Sequence, residues 1–600
     1  MSRDAVRSER PEQQRPLDFG IILRLYRHSA RHRELRNALM FLVLLRSIQI
    51  PIVTWATARV ISGPIADGDV KRTLLSVLAF LAFAGFTEFC YVYRVRLAFE
   101  LGERVVHDLR LDVYRKLLEM PLSFFRRTQI GRLIGRITSD VDVVRVGVQD
   151  VAFIAIVQAG NMLVCAVLML YYDWKLCLIV LLMAPLLWAI LRYFRRKLSH
   201  AYRAQQESFS RVTATLAESV TGIREIQGFV RQDVNGGLFG QLIYDHSKVN
   251  MDAAQKSAVF QPLLEFNGQL FLAILLVVGG YQALSHEVKL EALIQFLFLS
   301  NAFFAAIVPI ANQYNQALTA MAGAERVFRL LDTEPDWKDA PDALDLPPLE
   351  GRVELRRVGF EYAPGRRALG EIDLVVPAGS SVALVGATGS GKSTLVNLIA
   401  KLYQPTEGVI RIDGYDLSRA SSVSLHRQIA CVTQDNFLFS GSVLENIRVG
   451  RPEASNAEIR QAARELDVID LIEELPDGFE TRIGERGAGL SLGQRQLICF
   501  ARALLANPRI LILDEATSSL DSITEARIQA ALARLLAGRT SFLVAHRLST
   551  IRHADQVVVL ENGRIAERGT HAELLARGGV YAALHRKFTS FSDTELGGAR

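Results

Sequence analysis

The chain has 600 residues, 50% of them hydrophobic and 22% charged, with 42 glycines, 18 prolines and a formal charge of +6. That length exceeds one soluble core, since domains typically hold about 100–200 residues, and the composition excludes a disordered chain, a collagen and a disulfide scaffold. The five cysteines, Cys90, Cys165, Cys177, Cys431 and Cys499, show no CxxC spacing, so they suggest neither a zinc site nor a disulfide framework. The charge is unevenly spread. Residues 1–330 carry 38 Lys and Arg against 27 Asp and Glu, a net of +11, whereas the remainder has 31 against 36, a net of −5.

The basic half contains six apolar stretches, at about 37–61, 73–93, 151–172, 176–194, 260–284 and 292–313. About 20 helical residues cross the ~30 Å hydrocarbon layer, so the simplest expectation is six transmembrane helices. Lys and Arg accumulate in three of the flanking segments: 1–36 holds nine Arg, 94–150 eleven basic residues and 195–260 nine. The alternate segments 62–72, 173–175 and 285–291 are short and nearly neutral, which puts both termini on the cytoplasmic side. The first 36 residues hold no apolar stretch before a small-residue cleavage site, so the first span is expected to be an uncleaved anchor. In 97–118 and 202–226 charged and apolar residues interleave at helical spacing, so the spans should continue about 20 Å or more beyond the bilayer. Two charges fall inside spans, Arg46 and Glu88, both in the inner half of the bilayer. Charges at that depth face a partner or a watery cavity, so the two are expected either to pair or line a common cavity, or, if the spans end earlier, to reach the interface. Glu265, Asn267 and Gln269 in the fifth span have no obvious partner.

After Ala320 the composition changes to a segment holding Pro335, Pro341, Pro347 and Pro348, a domain boundary. The expected division is a transmembrane domain at 1–330, a linker at 331–349 and a nucleotide domain at 350–600. Within the last, the β-like run Ser381–Val385 leads into Gly386-Ala-Thr388-Gly389-Ser390-Gly391-Lys392-Ser393-Thr394, then an apolar helix through Leu402. This is the G-x-x-x-x-G-K-[ST] phosphate loop in its strand–loop–helix setting. Its glycines let backbone N–H groups wrap phosphates, and the helix N-terminus adds a favourable dipole. Lys392 would neutralise the β- and γ-phosphates and Ser393 would give an oxygen to Mg²⁺. A second apolar run, Ile510–Leu513, ends in Asp514-Glu515. In a parallel sheet those carboxylates lie beside the phosphate loop, Asp514 suited to Mg²⁺ and Glu515 to activating the attacking water.

With these motifs in order, the chain resembles an ABC transporter half of the exporter type, similar to bacterial multidrug and lipid exporters, over roughly residues 17–587. Leu490-Ser491-Leu492-Gly493-Gln494 resembles the family signature, Gln434 its Q-loop, Ser519-Leu520-Asp521 its D-loop, Ala545-His546-Arg547 its switch-histidine strand and Phe360-Glu361-Tyr362 its aromatic loop. Leu492 departs from the commonest signature, which has Gly there. The resemblance implies an all-α polytopic membrane domain of six transmembrane helices followed by an α/β P-loop ATPase domain with a helical subdomain. It implies that Tyr362 stacks on adenine, that Gln434 bridges Mg²⁺ and water, and that His546 holds the γ-phosphate. It further implies that Ser491, Gly493 and Gln494 meet the phosphates of ATP bound by a second chain, with Asp521 at the same interface.

One phosphate loop and one signature per chain then require a dimer, simplest as a homodimer, with a heterodimer open. The turns near 126–135 and 229–237 would connect nucleotide domains to spans. The expected function is ATP-driven efflux or flipping of amphipathic lipids or drugs by alternating access. The alternatives are a non-transporting membrane ATPase that regulates or remodels a partner, and an exporter-shaped importer. A bacterial inner membrane is the expected location, the partners are a second copy, membrane lipids and a small amphipathic substrate, and the basic balance reports topology rather than a nucleic-acid partner.

Overall fold

A computed structural model of the chain describes residues 18–285, 288–514, 522–545 and 548–587. It divides into two compact units, one comprising the chain up to Leu118 with Gly131–Thr333, the other Glu119–Ile130 with Glu334 onward.

The first unit is helical. Among the described residues six helical stretches are long and apolar enough to cross a membrane: Gly20–Ile65, Val70–Leu118, Ile130–Tyr172, Trp174–Thr221, Gln232–Leu284 and Leu290–Asp332. The uninterrupted helices Val70–Leu118, Trp174–Thr221 and Gln232–Leu284 have 49, 48 and 53 residues. At 1.5 Å per residue each runs roughly 70–80 Å, more than twice the hydrocarbon thickness, as the interleaved charge pattern predicts. The tightest break is Asp173, extended at φ −160°, whose Oδ1 accepts from the N–H groups of Lys175 and Leu176 at 2.7 and 3.0 Å and so caps the fourth stretch. Small residues allow close helix approach. A Cβ on Gly160 would meet Ser47 Cβ at 2.5 Å, and one on Gly279 would meet Leu293 Cδ1 at 2.5 Å. Cys165, Met169, Phe271, Leu275, Phe296 and Leu299 form a shared apolar core there.

Arg46 and Glu88 meet, with Nη2 to Oε1 at 3.3 Å, and Arg46 Nη1 donates to Thr87 O at 3.1 Å. The segments expected as turns are more helical than their composition suggests. Leu122–Arg127 and Ile130–Gly135 are both helical, broken only around Thr128. At the second, the break is confined to Phe229–Arg231, with Val230 at φ 51°, and Asn235-Gly236-Gly237 lie inside the helix from Gln232. Two helical glycines cost about 1 kcal/mol each relative to Ala, which a helix of 53 residues offsets by its packing.

The second unit carries strands β1 (Val353–Glu361), β2 (Arg367–Val376), β3 (Ser381–Val385), β4 (Glu407–Ile412), β5 (Tyr415–Asp416), β6 (Ile429–Val432), β7 (Gly441–Ser442), β8 (Arg482–Ile483), β9 (Ile510–Asp514), β10 (Thr540–Val544), β11 (Gln556–Glu561) and β12 (Arg564–Gly569). An antiparallel sheet has the order β2-β1-β4-β5, and a six-stranded sheet the order β12-β11-β3-β10-β9-β6, parallel from β11 to β6. Strands β3, β9, β10 and β11 are buried on both faces along most of their length, with apolar central residues and polar ones at their ends, as parallel strands covered on both sides are. Between β6 and β9 lies a mainly helical region whose Leu444, Ile459, Phe479, Leu497 and Phe500 share a core with Leu511 and Leu513 of β9 and Leu543 of β10.

Candidate functional site

The parallel order β3-β10-β9 places the C-terminal ends of three strands side by side, with Val544 of β10 in register with Leu384 of β3 and Asp514 of β9. Ligands in such sheets bind beyond those ends. The loop 386–391 leaves β3 there and opens the helix Lys392–Ile399. Its geometry demands glycine. Gly386 stands at φ 155°, where a Cβ would lie 2.2 Å from Leu560 O, and Gly391 at φ 105°, where a Cβ would lie 2.6 Å from Leu369 Cδ2. Thr388 and Gly389 form the exposed crest.

Lys392 is 6% exposed and its Nζ donates to Gly386 O at 2.7 Å and Ala387 O at 3.0 Å, so the ammonium is held inside the curl of the loop. Burial pushes its pKa below the ordinary lysine value, with the Asp514 carboxylate opposing. Ser390 Oγ is buried with no hydrogen-bond partner, an orphaned group facing the same loop. Ser393 Oγ lies 3.4 Å from Asp514 Oδ2, which joins the two motifs. Gln434, two residues past β6, is exposed. With Asp514, Gln496, Asn436 and Thr550 it lines a cavity of about 20 Å³, enough for one water.

Ser491 is the N-cap of the helix Leu492–Leu505. Its Oγ accepts from Gln494 N at 3.2 Å, and its own N–H donates to Gln494 Oε1 at 2.8 Å, a reciprocal capping box. Leu492 is the first helical residue and Gly493 is buried in the first turn. The Leu in place of the commoner Gly therefore leaves the helix start intact. Glu515, Asp521 and His546, with Ser519, Leu520 and Arg547, lie outside the described residues.

Tyr362 follows β1 directly. Its hydroxyl is 2.9 Å from Thr394 Oγ1, on the helix after the phosphate loop. Phe360 and Tyr403 meet its ring edge-to-face at centroid separations of 4.9 and 5.6 Å. The Arg126 guanidinium sits over the ring, 4.7 Å from its centroid. Arg127 Nη2 is 3.5 Å from Tyr362 O and Arg127 Nη1 is 3.2 Å from Asp336 Oδ2. The turn near 126–135 is expected from sequence to reach the nucleotide domain, but nothing in the sequence directs Arg126 to Tyr362; Tyr403, Gln496 and Thr550 belong to none of the motifs named above and meet the site only through the fold.

Residues 37–307 match the family described as ABC transporter transmembrane region, and 369–518 the family described as ABC transporter. An uncharacterised ABC transporter ATP-binding protein of Bacillus subtilis is 34% identical over 95% of both chains. An ATP-dependent lipid A-core flippase of Syntrophus aciditrophicus is 38% identical over 85% of this chain and 84% of its own. A fatty acid ABC transporter ATP-binding/permease protein of Mycobacterium bovis is 38% identical over 86% and 81%.

Proposed function

The chain belongs to the ABC transporters, as an integral-membrane half of the exporter type that binds ATP and couples its hydrolysis to transport, and from that premise we propose that two copies work together to move an amphipathic lipid or drug-like substrate out of, or across, a bacterial inner membrane. Relatives named for lipid A-core and for fatty acid handling favour an amphiphile with a long apolar part. The observation that carries the catalytic reading is the meeting of Ser393 Oγ with Asp514 Oδ2 beside the curled loop that holds Lys392. A hydroxyl and a carboxylate at that position are the hard oxygen donors Mg²⁺ requires, with Gln434 as a third. Those residues would hold Mg²⁺, which when bound would supply neutralisation of charge on the β- and γ-phosphates.

The remaining steps fall to this chain's own residues. The loop amides of 386–391 and Ser390 Oγ cradle the phosphates, Lys392 turns from the loop carbonyls to the β/γ oxygens, and Tyr362 stacks on the adenine. Glu515 accepts the proton of the attacking water, and His546 positions the γ-phosphate. Gly493 and the helix opened by Ser491, together with Gln494 and Asp521, complete the site of the second copy. ATP then drives transport by its higher affinity for closed nucleotide domains. With both termini cytoplasmic, closure is transmitted along the helices that extend beyond the bilayer.

Glu515→Gln tests the assignment. The full-length variant should bind ATP at wild-type affinity, lose hydrolysis by about 10²-fold or more, the range a general base contributes, and accumulate as a closed dimer with ATP. Wild-type turnover in that variant would contradict the role of Glu515.

A further inference from the structure

The second unit takes in twelve residues, Glu119–Ile130, that are flanked in sequence by helices of the first. Their helix Leu122–Arg127 ends in two arginines, and both contact Tyr362: Arg126 lies over the ring at 4.7 Å, and Arg127 approaches the backbone oxygen at 3.5 Å. The ring is thus fixed at several points. Its hydroxyl meets Thr394 Oγ1 at 2.9 Å, Phe360 and Tyr403 stand perpendicular to it in edge-to-face pairs, and a guanidinium covers a face. Yet the residue remains part-exposed, so a flat group can still reach it.

We propose that Arg126 is a positioning residue for nucleotide binding: by covering a face of Tyr362 it fixes the ring as a platform whose opposite face takes the adenine base. The proposal rests on the reading of Tyr362 as the adenine platform and adds to it a residue from outside the cassette motifs. The physical reasons are two. An unsupported tyrosine after a strand end loses rotamer freedom when a base stacks on it, and a ring already held by a guanidinium and a hydroxyl contact has less to lose. A planar cation on an aromatic face is also attracted to the ring quadrupole, modestly where the cation is exposed, as Arg126 is.

The effect belongs to the base and not to the phosphates, and this separates positioning from simple charge attraction. In full-length protein, Arg126→Ala should raise the KM for ATP about two- to fivefold, the worth of an exposed cation–π contact, with kcat changed by less than about twofold. Arg126→Lys should fall between. Inorganic tripolyphosphate with Mg²⁺, which lacks a base, should compete for the site equally well in wild type and Arg126→Ala. In a Tyr362→Leu background Arg126→Ala should have no further effect on KM, and the nucleotide-free thermal midpoint should be unchanged by Arg126→Ala. Equal weakening of tripolyphosphate and ATP would overturn the proposal, showing that Arg126 acts as a charge alone. If Tyr362→Leu raises the KM and Arg126→Ala does not, this inference fails while the platform reading stands; if Tyr362→Leu leaves the KM unchanged, the platform reading fails and takes the inference with it.

Discussion

The environment of Lys392, proposed above to meet the β- and γ-phosphates, makes a pH-dependent prediction. Within the loop Lys392 is surrounded by protein, donates to two carbonyls, and has its pKa lowered by burial. A pKa depressed in the folded state means that the ammonium gives up its proton more readily there than in the unfolded chain. As pH rises through the depressed value towards the ordinary lysine range, the neutral form becomes populated in the folded protein first, so this group's contribution to stability rises across that window. Phosphates beside Lys392 favour the charged form again. Binding of ATP at about pH 9, approaching the ordinary lysine range, should therefore take up protons, measured as a buffer-dependent binding enthalpy, and Lys392→Met should abolish the uptake along with most of the affinity. Proton release at that pH in the wild type would contradict this role of Lys392. The identities of Lys392, Ser393, Asp514 and Gln434 are legible in the sequence because each stands at a fixed offset from a strand or glycine turn. The contacts of Tyr362 with Arg126 and Tyr403 are not legible, since they depend on tertiary folding between segments that share no local pattern.

At the scale of elements, the ion pair between two helices is the clearest test. Arg46 on Arg33–Val60 and Glu88 on Val70–Leu118 meet at 3.3 Å, and Arg46 and Arg94 both sit 5.1 Å from the Tyr91 ring centroid. A charge within a span is costly unless partnered. Arg46→Glu and Glu88→Arg should each destabilise the solubilised protein by on the order of 2 kcal/mol, the worth of a charge left without its partner in a span, and the double swap should recover much of the loss. A double swap no more stable than the singles would show that the pair contributes nothing. Hydropathy locates these helices well, because a bilayer selects runs of about 20 apolar residues. It locates their ends poorly: a helix passes from lipid into water with no change of backbone period, and the side-chain caps of Asp18, Asp69 and Asp173 mark helix starts. For the same reason Gly236-Gly237, read locally as a turn, stays helical within a long element.

For the whole molecule, the uneven charge sets the frame. The +6 combines a membrane half at +11 with an ATPase half at −5, a distribution that fits basic segments kept on one side of a bilayer. The chain has one phosphate loop and one signature, so under the proposed mechanism a second copy completes each site and no other protein is required. That claim is tested most directly by reconstituting the purified chain alone in lipid vesicles and following a fluorescent lipid analogue from one leaflet to the other. The expected result is movement that requires Mg²⁺ and ATP, follows wild-type protein with a dimer's stoichiometry, and is lost in Glu515→Gln. ATP hydrolysis by the wild-type chain with no accompanying movement of lipid analogue or of any other amphiphile, or movement that appears only when a different protein is added, would contradict it.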